Sequence, residues 1–588
     1  MSRASSRRRV RPAVIAWLAL GALCAALVAI VAAVGVGAFV AQKELRAAVP
    51  VVSEMQEQFA SDDRGALDDS IAELQMHAGA ARGAADTWLW WIAEQAPFIG
   101  PSLHAVREST VAVDELAKGV LPELVDIDPA LLRPRGGTFN IAGLTELSAP
   151  IAAASDAAER ASGALEGVNL RQVPGLLREP LSQLTAAVAA LQPALSRADA
   201  VLPQLPSLMG QDGPKNYLLL VQNNAEARGL GGIPASVVLL RVENGRLDIV
   251  QQASSRDFAN ERETPIVPLD PEVVKLYDDK IGRWSQDVTS TPDFGLSAEL
   301  AKAYWTERFG TPVDGVLAID PVVLSYILEA TGPITLATGD ELTATDAVRI
   351  LLSDVYARYP DNKDQDIFFA SAAVEVFDAI SSGDFSPIPF ASAVVRSIDE
   401  NRIYFYPFDD AARATFAGSR LLGPLPSTSE GTDATVGVFV NDLTEAKLSF
   451  YTNMSTELVV DRCSAVPTYT AVVTFANGLD EATSNSLVEY VNAGAHYPKG
   501  TIGTDLQIYG PIGSHFVNAV VDGADVAITT GEHLDRPVGR LWIVNPPQTV
   551  HTLAVKFEGT RADGDDVALV HTPMVNPVSS TVVEAPCK

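Results

Sequence analysis

Cysteine is scarce in this chain. Only Cys24, Cys463 and Cys587 occur in 588 residues, with no CxxC pair and no Cys/His ligand spacing, which excludes the usual zinc frameworks. Histidine is nearly as rare, and His496, His515, His533, His551 and His571 show no metal-like spacing; they read as surface or turn residues. There is no nucleophile elbow, no HExxH, no Ser-His-Asp signature and no Walker-type lysine, so serine-hydrolase, zinc-protease and nucleotide-cradle readings have no motif behind them. Positive charge is short as well. The balance is 43 Lys+Arg against 73 Asp+Glu, a formal net charge of -30, which argues against nucleic acid as a partner. It fits a solvated acidic surface or the attraction of cations. Charged residues are only 20% and hydrophobic ones 47%, enough for sizeable cores in a chain long enough for two or more domains.

The N-terminus carries what basic clustering there is. Arg3, Arg7, Arg8, Arg9 and Arg11 precede an uncharged apolar run from Pro12 to Ala41, longer than the ~20 residues that span hydrocarbon. The run also exceeds a signal-peptide core, although small residues near its end leave cleavage open. The expectation is a cytoplasmic basic tail (1–11) and a single-pass transmembrane helix or signal anchor (12–41). The main body would then be extracytoplasmic at the cell membrane. In that oxidising setting Cys463 and Cys587 are candidates for one disulfide closing a loop of roughly 125 residues, which would stabilise by about 4–5 kcal/mol; the alternative is two free thiols.

Residues 42–210 read as a helical stalk or spacer. Leu67, Ile71 and Leu74 share a face, and Leu177, Leu181, Leu184, Val188, Leu191 and Leu195 step by four and three as a short heptad seam, which offers a surface for self-association. Pro174, Pro180 and Pro193 limit or kink these helices. Trp88, Trp90 and Trp91 read as core packing rather than as membrane-interface anchors, because about 45 residues of helix separate them from the apolar run.

Residues 211–400 read as an α/β domain, and the chain is organised around its first half. A strand, Asn216–Gln222, runs into Asn223, Asn224, Glu226, Arg228 and Gly231-Gly232. A second strand (Val237–Val242), an Asn244-Gly245 turn and a third strand (Leu247–Gln251) follow, ending at Ser254-Ser255-Arg256-Asp257. Trp284, Asp287, Pro292-Asp293-Phe294 and Val313–Asp320 come next. Polar side chains gathered at strand ends are how open α/β sheets build sites. A helix from Thr343, a charged loop at Tyr356–Asp364 with Arg358, and an amphipathic helix from Ile367 to Ile380 complete the segment. Residues 401–588 are strand-rich with Gly and Asn-Gly turns, the pattern of a β-sandwich.

On Asn223-Asn224-Ala-Glu226-Ala-Arg228 with Gly231-Gly232, Trp284, Pro292-Asp293-Phe294 and Val313-Asp314-Gly315 through Asp320-Pro321, the chain resembles the bacterial family called domain of unknown function (DUF) 4012. Its members are typically membrane-anchored envelope proteins of high-GC Gram-positive bacteria. A more distant resemblance, in the order of strands ending in Arg and acidic residues, is to the LytR-CpsA-Psr (LCP) phosphotransferases. That likeness implies an α-β-α core in which arginines grip the diphosphate of a polyprenyl-linked glycan and acidic residues hold Mg²⁺. Carried over by position, Arg256 and Asp257 inherit the catalytic roles. Asn223, Asn224, Glu226, Arg228, Gly231, Gly232 and Arg358 would bind phosphate or glycan, and Asp257, Asp287 and Asp293 the metal. The physics is consistent: a guanidinium fork matches phosphate oxygens, and Mg²⁺ takes one or two carboxylates plus phosphates. Yet Asn223 or Asn224 stands where that family has an acid, and Gly231-Gly232-Ile233 replaces its Arg-Ser-Asp-Thr run, which favours shared fold over shared chemistry.

Bland roles compete at several positions. Arg256-Asp257 could be a plain ion pair, the two asparagines could satisfy turn backbone, Gly231-Gly232 could serve backbone geometry, and Asp287 and Asp293 could cap helices. Two functions are carried forward. One is an envelope protein that binds, or transfers to a cell-wall polymer, a lipid-linked polyprenyl-diphosphate glycan. The other is a non-catalytic scaffold or adhesion protein with the sandwich as its binding head.

Overall fold

The computed structural model describes residues 32–587 apart from 49, 52–53, 56–57, 59–63, 174, 426–433, 493, 495 and 560–566. The chain divides into two compact units, Met1–Asp128 with Thr145–Pro203, and Pro129–Leu144 with Gln204–Lys588.

In the first unit every described element is helical. Leu67, Ile71 and Leu74 are buried on one face as their spacing requires. The heptad seam is filled within the chain. Leu181, Val188 and Leu195 are buried, and the long helix that carries them (Gly175–Val201, running through Pro180 and Pro193) packs on the alanine-rich helix Ser148–Glu166. Of the three tryptophans, Trp90 is fully buried and donates its indole N–H to Leu103 O, while Trp88 and Trp91 are exposed.

The expected transmembrane helix is corrected here. Residues 12–31 of the apolar run lie outside the described residues, and among those described no helix is long and apolar enough to cross a membrane. What is described of the run belongs to a helix over 32–48 that packs on protein. Val34 meets Ala85 and Trp90, and a Cβ on Gly37 would come within 2.7 Å of Ala84 O. Small residues here allow close helix packing, a use that hydropathy cannot tell from lipid exposure. The single-pass anchor, the signal-anchor reading and the cell-membrane localisation are not supported.

The second unit is mixed α/β with several sheets. Its central sheet holds β1 (Lys215–Arg228), β2 (Gly231–Glu243), β3 (Arg246–Ser254) and β4 (Gly315–Ile319), and a short strand, Tyr404–Pro407, forms one edge, in the order β3-β2-β1-β4-edge. β1 runs antiparallel to β2 and parallel to β4. The edge strand lies past residue 400, inside what the sequence reading assigns to the β-rich domain. Alternation along β1 divides the sheet into two faces. Leu218 and Leu220 pack on the helix Phe294–Phe309, whose Phe294 and Trp305 are fully buried. Leu219 and Val221 face the helices Pro321–Thr331 and Asn362–Ser382, the second of which is the covering helix below.

Residues from Ala434 onward form two facing sheets. One has five strands and the other six, and Val436, Val438, Val440, Leu506 and Ile508 meet Leu458, Val460, Val473, Leu553 and Val555 in a shared core. Cys463 and Cys587 are bonded to each other, a pairing characteristic of oxidising compartments.

Candidate functional site: a clamp and a cavity

β1 outlasts its neighbour β4 and bends at a register shift between Asn223 and Ala227. The bend turns its last residues into the body of the protein. Asn223 donates to Tyr356 Oη at 2.7 Å and accepts from Ala225 N at 3.0 Å. Asn224 donates to Asp320 Oδ2 at 2.9 Å and to Pro573 O at 3.1 Å. Asp320 also caps its helix through Val322 N and Val323 N and takes a 2.7 Å bond from buried Arg402.

Glu226 pairs with Lys447, whose ammonium lies 4.9 Å from the Tyr356 ring and 4.7 Å from the Tyr490 ring. Burial alone would depress the Lys447 pKa, but the Glu226 carboxylate reverses the sign and raises it. Arg228 grips Asp287 at 2.9 Å and donates to Asp442 O at 3.3 Å. Gly229 is held on both sides, its N–H by Asn441 and its carbonyl by Thr572. Gly231 has φ +131°, and a Cβ on Gly232 would sit 2.2 Å from the Asn223 carbonyl. The two glycines thus permit close backbone contact, and the Gly232 N–H donates to Gln222 Oε1 at 2.9 Å.

Six residues expected to bind ligand (Asn223, Asn224, Glu226, Arg228, Gly231 and Gly232) therefore make a clamp, and Asn223 also lines a cavity beside the sheet. The clamp fastens the end of β1 to residues of the sandwich and to Asp287. Each charge in it has a partner within the protein, as buried charge must.

The other expected residues scatter. Asp287 belongs to the clamp, and Asp293 caps its helix through Leu296 N at 3.0 Å. Arg358 pairs with Asp340 and lies near Asp354 on the loop side of the hairpin 334–342. Asp257 closes a capping box, its Oδ2 accepting from Ser254 N at 2.7 Å and from Ser254 Oγ at 3.1 Å. So Asp257, Asp287 and Asp293 do not come together as metal ligands. Among the described residues no group of three or more His, Cys, Asp or Glu could hold a metal ion, and no step is routed through one. Nor do Arg228, Arg256 and Arg358 converge.

Arg256 stands beside an opening, paired with a residue of its lining. β3 ends in the turn Ser255–Asp257, which brings the guanidinium within 2.7 Å of Asp366 on the first turns of the covering helix. Asp257 and Asp366 both line the mouth of a cavity of about 570 Å³ between this helix and the sheet. The sheet side is made by Leu219, Val221, Val238, Leu240, Ile249 and Leu317. The helix side carries Phe369, Ala370, Ala373, Val376, Phe377 and Ile380, spaced by three and four so that all share one face. Ala370 and Ala373 are the reason for the room, since at mid-helix they leave the opposing strand residues without partners. Sequence reasoning identified this helix by its amphipathic spacing. It did not foresee that the apolar face would be underfilled, although the alanines inside the apolar stripe were the available signal.

Against models of protein families, residues 212–356 match DUF4012, described as a protein of unknown function. Among curated proteins no significant match is found. A solved structure from Legionella pneumophila subsp. pneumophila str. Philadelphia 1, described as a candidate nutrient binding protein, is similar at 10% identity over 22% of this chain and 43% of that chain, with a TM-score of 0.14. A likeness that shallow carries no argument.

Proposed function

Starting from a DUF4012 segment at residues 212–356, we propose that the protein binds a lipid-linked glycan of the polyprenyl-diphosphate class. The hydrocarbon lies between the sheet and the covering helix, the diphosphate meets Arg256, and the sugar remains outside. The observation that carries this reading is the apolar cavity of about 570 Å³ with Arg256 tied to a carboxylate of its mouth. Its volume is within the range of small-molecule sites, and its lining follows their pattern of mostly apolar walls with a few polar groups. The Arg256–Asp366 pair is nearly half exposed on both sides (45% and 46%) and so is worth little by itself. A diphosphate offers the same guanidinium a bidentate partner. The role proposed is binding, carried by Arg256 and the two carboxylates of the mouth, Asp257 and Asp366, of which Asp257 holds Oδ2 in its capping box.

The test is equilibrium binding of a polyprenyl diphosphate by the wild type and by Ala373→Trp, which places an indole across the cavity. The expected result is at least a tenfold loss of affinity with an unchanged melting temperature. Undiminished affinity in a folded Ala373→Trp protein would rule the cavity out as the site.

A further inference from the structure

The covering helix measures the cavity. Asp366 stands at the mouth and Ser381 at the far end, and both line it. Fifteen residues of helix at about 1.5 Å each give a length of about 22 Å. The same lining takes in Asn223 at the end of β1 and Leu324 and Ile327 of the helix Pro321–Thr331.

At the far end stands a segment from outside the α/β region. Pro129–Leu144 precedes β1 by some seventy residues, with long helices between, yet belongs to the second unit. It is pinned at three points. Thr138 bridges to Arg246, Phe139 N donates to Gly245 O at 2.9 Å, and Gly137 N donates to Ser381 O at 3.1 Å. The fit is close: a Cβ on Gly245 would meet Phe139 O at 2.4 Å, and one on Gly383 would meet Pro134 O at 2.1 Å. Thus the strap is fastened both to the β2–β3 turn and to the end of the covering helix, and it brings Phe139 into the cavity lining beside Leu247, Ile380 and Ser381.

We infer that Phe139, held on this strap, is the stop that limits the length of the hydrocarbon the site takes. The inference rests on the binding reading above and adds to it a specificity-determining residue. A chain that runs past Phe139 must fold back or leave methylenes in water.

The experiment is competition binding with straight-chain alkyl phosphates of increasing length against wild type, Phe139→Leu and Phe139→Trp. For the wild type, affinity should rise with length and then level off. The plateau should move to longer chains in Phe139→Leu and to shorter ones in Phe139→Trp. Ile380→Phe, which adds bulk at the same end from the helix, should also shorten it if the strap variants fail to fold. An identical length profile in all folded variants would overturn Phe139 as the stop. A wild type that binds none of the series would instead overturn the binding reading itself.

Discussion

The clamp at the end of β1 and the cavity under the covering helix lie on one sheet but are built in opposite ways. In the clamp, Glu226, Arg228, Asp287 and Lys447 are all charged and each has a partner in the fold. In the cavity the lining is mostly apolar, with a few polar side chains such as Asn223 and Gln252 among it, and space is left over. A dense group of polar residues at a strand end looks like a binding site in sequence. Here its charges are committed to internal partners, although Asn224 Oδ1 is buried without one, whereas the room for a ligand lies where complementary bulk is missing. Exposure separates the two most similar parts. Arg228 and Arg256 both pair with an aspartate, but the first side chain is 14% exposed and the second 45%.

Removing Arg228 tests this contrast most directly. Arg228→Ala strands Asp287 in a largely buried place, and breaking a buried pair of this kind costs about 3–5 kcal/mol. Denaturant unfolding of the intact chain should show that loss. A cost below about 1 kcal/mol would mean the pair behaves as a surface one.

A smaller effect is expected at Asp442, which stands beside Arg228 in the clamp. Burial pushes its carboxyl up to about 6 from 3.8, against the hydrogen bonds from Thr444. Because the folded value lies above the unfolded one, the proton is held more tightly in the folded protein. The stability this lends is complete below about 3.8 and is lost as pH rises through about 6. Asp442→Asn removes the titration and keeps an oxygen for Thr444. The variant should therefore gain on the order of 1–3 kcal/mol over wild type above pH ~6, and the gain should vanish near pH 4. Parallel stability–pH curves for the two proteins would contradict this.

The smallest effect belongs to the cavity mouth. Asp366→Ala leaves Arg256 in contact with solvent, so stability should change by no more than about 1 kcal/mol. Affinity for a phosphate-headed ligand should hold or rise, because a competitor for the guanidinium is gone. A large loss of stability would show that the mouth is constructed like the clamp.

Much of the local architecture was legible in the chain. The strand beginning at Asn216, the Asn244-Gly245 turn and the third strand all form. Asp293 takes the capping role that was weighed against metal binding, and the heptad spacing of Leu181, Val188 and Leu195 marks a buried seam. The family resemblance also lies where its motif residues stand, within the matched residues 212–356. The roles of those motif residues were not legible, nor was the packing of residues 32–48 on protein.

Periodicity and caps act over a few residues, so the amino-acid order by itself determined which segments are helix or strand and which faces are apolar. Partnership acts across the fold. Arg228 meets Asp287 from 59 residues away, Glu226 meets Lys447 from 221, and Arg256 meets Asp366 from 110. Phe139 reaches the cavity from a strap that precedes the whole sheet. Only the tertiary structure decided which charges are satisfied internally and where volume remains, because both depend on what is packed against a side chain and not on what adjoins it in the chain.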